Sequence, residues 1–83
     1  SHPTSISEVT EGMLLEGKVL RVETGRVVVD ILGEEASLAF DNIIPPSRDQ
    51  YDLEERFPVG KMIRVVVQGR NKKGRLQLTL RRP

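Results

Sequence analysis

The chain has 83 residues, the size of one small domain, with 30% charged and 37% hydrophobic residues. That excludes a disordered polar tail and leaves apolar material for one thin core. Cysteine is absent, which excludes disulfides and thiolate metal sites, and no apolar run approaches the ~18 residues that cross a bilayer. Net charge is +1 but unevenly spread: residues 1–55 carry four bases against twelve acids, a net −8, and residues 56–83 carry nine bases and no acid. A basic face exists if the fold segregates the halves, and vanishes if it pairs them.

Residues 1–10 are polar and without a period, and read as a disordered lead-in or tag remnant; residues 11–83 read as the domain. The opening Ser1-His2-Pro3 lacks an initiator methionine and resembles no secretory signal. The chain is therefore expected to be a cytoplasmic domain of a longer protein. The first strand is predicted over Leu14–Val22, with Leu15, Val19 and Val22 inward; Gly17 inside it signals a bulge or sharp coil. Glu23-Thr24-Gly25 reads as a hairpin turn. The second strand is Arg26–Leu32, with Val27, Val29 and Ile31 on one face and Arg26, Val28 and Asp30 on the other. After a turn at Leu32-Gly33-Glu34, the third is Glu35–Phe40, with Ala36, Leu38 and Phe40 inward and Ser37 and Ala39 outward.

Residues 41–60 break the alternation. Asp41 suits the cap of a short turn, Pro45-Pro46 stops any continuing element, and Ser47 suits the cap of a short segment reaching Arg56. The fourth strand is Lys61–Gln68, with Ile63, Val65 and Val67 inward and Arg64, Val66 and Gln68 outward. A basic loop spans Gly69–Gly74. The fifth strand, Arg75–Arg81, alternates Leu76, Leu78 and Leu80 against Arg75, Gln77, Thr79 and Arg81. Five short strands with a short helical or irregular joint between the third and fourth predict an all-β, five-stranded OB-fold barrel, with an SH3-like barrel as the alternative.

The ordered set Gly12, Gly17-x-Val19, Val22, Gly25, Val29-Asp30, Glu35-Ala36-x-Leu38, Gly60-x-x-Ile63-x-Val65-x-Val67 and Gly74-x-Leu76-x-Leu78-x-Leu80 resembles the S-one type domain. This is the OB-fold RNA-binding module repeated in the largest small-subunit ribosomal protein. Stretches such as Gly17–Glu23, Val27–Asp30 and Lys73-Gly74-x-Leu76 resemble the version carried by the NusA family of transcription elongation factors. The connection Pro45–Gly60 is longer than in that family, and Lys61 replaces the acid usual there. The resemblance implies a non-catalytic, single-stranded RNA-binding module of a larger transcription, translation or RNA-processing protein. It also implies neighbouring domains as partners and a monomer when isolated.

Strong RNA binders of this family stack bases on outward aromatics of the second and third strands. Here those positions hold Gly25, Val28, Ser37 and Ala39. Phe40 is expected inward, and Tyr51 and Phe57 are expected to cover the barrel bottom. Weak attachment through phosphates is therefore predicted, by Lys18, Arg26, Arg64, Lys72, Lys73, Arg75 and Arg81. The alternative is a protein-interaction or spacer domain with a degenerate RNA face. Catalysis is not expected. Asp30, Glu34 and Glu35 suggest no shared pocket, and the serines lack a nearby base. The Gly69–Gly74 loop has no phosphate-loop spacing. His2, the one histidine, lies in the tail, so neither a metal nor another cofactor is expected.

Overall fold

Alternation of apolar and polar side chains carries over from sequence to structure along most of the chain. The computed structural model describes residues 3–82, so His2 and its tail position lie outside the described residues. Five strands form: β1 (Leu14–Glu23), β2 (Arg26–Ile31), β3 (Glu34–Ala39), β4 (Met62–Arg70) and β5 (Leu76–Thr79). One helix, α1 (Gln50–Arg56), lies between β3 and β4. The strands close into a barrel in the order β1-β2-β3-β5-β4. Only the β3–β5 seam is parallel, pairing Ser37 with Gln77 and Leu38 with Leu78. This is the five-stranded OB arrangement expected. Closure pairs every strand on both sides and so hides its backbone hydrogen-bonding groups.

The inward residues make one core. Leu15, Val19, Val27, Val29, Ile31, Ala36, Leu38, Val65, Val67, Leu76 and Leu78 are all buried, and Ile43, Leu53 and Phe57 complete the cluster. Gly17 is buried on the same face of β1. A Cβ there would stand 2.4 Å from Val29 Cγ1 and 2.6 Å from Ile31 Cδ1. The glycine is a close-approach site, whereas the bulge of β1 lies three residues on, between Val19 and Arg21.

Several expectations change in detail. The helix is capped by Asp49, not Ser47: Asp49 Oδ1 accepts from the N–H groups of Tyr51 (2.9 Å) and Asp52 (3.5 Å). Ser47 instead accepts from the Asp49 N–H and holds the Asp52 carboxyl below the ordinary range. Asp41 caps nothing; it sits inside a single 3-10 turn, Phe40–Asn42. Tyr51 does not cover the barrel: it is 83% exposed, while Phe57 is buried in the core. Phe40 is half-buried against the core. Val28 and Val66 lie outside the inward-facing core cluster, as predicted, yet both are buried.

The lead-in also has structure. A 3-10 turn spans Ile6–Glu8, and Ile6 and Val9 pack on the core. Glu8 reaches back to accept from the Thr4 and Ser5 N–H groups (2.9 and 3.0 Å), which lowers its pKa. This is half of a capping box, with too short an apolar period to show in sequence.

Candidate functional site

The outer face of β1, β2, β3 and β5 gathers charge that the sequence scatters. Register puts Arg21 beside Val28 and Val28 beside Ser37; Ser37 in turn neighbours Gln77 on β5. Flanking rows join Glu23 to Arg26 and Lys18 to Asp30 and Glu35. Arg21 faces outward only because of the bulge, which shifts the alternation of β1 by one residue. Its guanidinium meets Glu35 Oε1 at 2.7 Å and Glu23 Oε2 at 2.7 Å. Arg26 meets Glu23 Oε1 at 2.7 Å and donates to Ser37 Oγ at 3.2 Å.

These contacts set the titration of the face. Arg21 holds Glu35 below the ordinary carboxylate range, with a smaller push from the Arg75 charge. Arg21 and then Arg26 do the same for Glu23. Hydrogen bonding to Glu35, then to Glu23, raises the Arg21 pKa further above its already high ordinary value. The net effect is a clamped lattice in which two acids hold two arginines.

Arg75 is different. It enters the face at the start of β5, and its Nη1 is buried with no hydrogen-bond partner among the described residues. Its backbone is fixed: its N–H donates to Asn71 Oδ1 (2.9 Å), and its carbonyl accepts from the Asn71 N–H and from Gln77 Nε2. Asn71 thereby closes the β4–β5 turn and leaves Lys72 and Lys73 exposed on it, with no acidic partner among the described residues. Lys18 is likewise exposed and without an acidic partner among the described residues, at the far border of the face beside Asp30.

The remaining predicted residues stand elsewhere. Arg64 lies on the outer side of β4, 3.9 Å from Glu16. Both line a depression of about 510 Å³ with Leu14 and Leu32. Arg81 donates to the Asp41 carbonyl at 3.4 Å. It also lines a groove of about 570 Å³ with Glu11, Gln68, Arg70, Gln77 and Arg82. The structure thus brings Arg26 and Arg75 onto one face, with Lys72 and Lys73 on the adjoining turn, and sets Arg64 apart. Arg21 was missed. Its signal was the three-residue step between the inward Val19 and Val22, where strict alternation allows two.

Among the described residues no cluster of three or more histidines or acids is placed to hold a metal ion. No helix among them is long and apolar enough to cross a membrane.

No family model matches the chain, and no curated protein matches it. Solved structures do. A chain of the a/eIF2alpha–aDim2p–rRNA complex from Pyrococcus horikoshii superposes with a TM-score of 0.73 at 19% identity, covering 88% of this chain and 45% of that one. A candidate exosome complex RNA-binding protein gives 0.75 at 21% identity, covering 89% and 44%. GSP13 from Bacillus subtilis gives 0.66 at 20% identity, covering 88% and 56%. The chain spans about half the length of the solved chains it matches. The likeness is one of fold: the chain shares the closed five-stranded OB barrel.

Proposed function

We propose that this domain binds single-stranded RNA without catalysis, as one module of a larger transcription, translation or RNA-processing protein. The observation that carries the reading is Arg75. A guanidinium nitrogen removed from water with no acceptor is costly, and native proteins rarely keep one without use. A phosphate or base carbonyl laid on the face would supply the acceptor once the Arg75 side chain swings outward, and charge makes such a bond short and strong. Lys72 and Lys73 on the adjoining turn add sequence-blind attraction, with Lys18, Arg26, Arg64 and Arg81 contributing from further along the barrel. Two of the structurally similar proteins are described with RNA, one in an rRNA complex and one as an RNA-binding protein.

Val28, Ser37 and Ala39 offer no aromatic surface on the strands, so attachment through phosphates dominates there and affinity falls steeply with salt. Anisotropy of a labelled single-stranded RNA, titrated with salt, tests this. Replacing Lys72 and Lys73 with Ala is expected to flatten the log–log salt slope by about 1.4, two contacts at the single-strand increment. Arg75→Gln should weaken binding for all sequences alike. The second reading is a protein-contact or spacer domain, favoured by the two glutamates that already occupy Arg21 and Arg26. Absence of binding at low salt would sink the RNA reading and leave that one.

A further inference from the structure

Phe40 follows β3, and its N–H donates to the Gly25 carbonyl at 3.2 Å, so the ring lies against the β1–β2 turn. The fit is close: a Cβ on Gly25 would sit 3.3 Å from Phe40 Cε1. The guanidinium of Arg48, from the long connection before α1, stands over this ring at 4.2 Å from its centroid. Arg48 Nη2 lies 3.5 Å from Asp41 Oδ1, and the Arg48 side chain remains 77% exposed. The guanidinium carbon thus stands over an aromatic ring, one of its nitrogens lies near a carboxylate, and most of the side chain is open to solvent. Arg81, bonded to the Asp41 carbonyl, brings a second guanidinium to the same place.

We propose that the Phe40–Arg48 stack is a base-stacking platform: an unpaired nucleobase lies on the open face of the Arg48 guanidinium, with the adjoining phosphate directed to Arg81. This rests on the reading of the domain as an RNA binder and supplies what the strand positions lack. Guanidinium planes stack on nucleobases much as aromatic rings do, and every base has a face to offer. The ring beneath favours the cation electrostatically and holds its plane in place. Ordering a long side chain beforehand removes a cost that binding would otherwise bear. Lysine cannot replace arginine here, because an ammonium is a point charge without a plane.

The experiment compares two probes of equal length and charge, a labelled oligoadenylate RNA and a ribose-phosphate oligomer lacking bases. Each is titrated against the intact chain and its Arg48→Lys and Arg48→Ala variants. Arg48 is exposed, so neither change threatens the core. Both variants are expected to lose about fivefold or more in affinity for the oligoadenylate and little for the base-free oligomer. An Arg48→Lys variant that binds oligoadenylate like the parent would overturn the platform and leave only charge. A parent that binds both probes equally would also overturn it while sparing the RNA reading. A parent that binds neither at low salt would remove both.

Discussion

Gly17 is constrained by what faces it. Across the barrel wall stand Val29 Cγ1, Ile31 Cδ1 and the Asp30 carbonyl, the last 3.0 Å from where a Cβ would go. Gly17→Ala is therefore expected to lower stability by about 1–3 kcal/mol through overpacking, read as a lower urea midpoint. Leu78 is fully buried in the middle of the core, and Leu78→Ala should cost about 2–5 kcal/mol, near the whole stability of so small a domain. Leu32 points the other way. It holds a positive φ of 51° in the turn before Gly33 (φ 92°), where Asn-Gly is the favoured pair. Leu32 is 45% exposed, so Leu32→Asn forfeits little burial and should raise stability by up to about 1 kcal/mol. A lower midpoint for that variant would mean that its packing near Leu14 outweighs backbone strain.

The strands themselves were legible because a period of two appears directly in β2, β3, β4 and β5. Their mutual arrangement was legible through the connection near Pro45 and Pro46. The lattice on the outer face was not, because it depends on register. Arg21 and Glu35 lie far apart in sequence and meet only when β1 and β3 flank β2. The same pairing fixes an acid response. Glu23 and Glu35 have folded pKa values below the ordinary 4.5, so they bind protons less readily when folded. Their contribution is complete above that value and lost as pH falls through the lower folded values. Stability is expected to stay flat from about pH 8 to 5 and to drop below the ordinary carboxylate range. Glu35→Gln should shrink that drop. It should also tighten RNA binding at neutral pH, since it frees Arg21 and removes an anion from the face. Weaker binding by this variant would show that Glu35 positions Arg21 for the ligand.

At the scale of the molecule, the two charge halves pair only in part. Arg70 bonds Glu34, Arg64 approaches Glu16 and Arg56 bonds Asp52, while Lys72, Lys73, Arg75 and Arg82 have no ion pair among the described residues. The sequence could announce the imbalance but not which bases escape neutralisation, since that is decided largely by two contacts between strands, Arg70–Glu34 and Arg64–Glu16. Closure also makes the barrel indivisible. β1 needs β4 and β3 needs β5, so a fragment ending at Gly60 should show no cooperative unfolding by circular dichroism. The seam between β3 and β5 has a further consequence during synthesis. While the ribosome is still delivering Met62–Thr79, the three finished strands present two open edges to other nascent chains. Residues 1–55 carry a net −8, so two such intermediates repel one another. The strands that fill both edges arrive in a segment with nine bases and no acid, and are drawn to their own chain. The lopsided charge on which the proposed RNA binding rests is thus also expected to disfavour strand exchange between unfinished barrels.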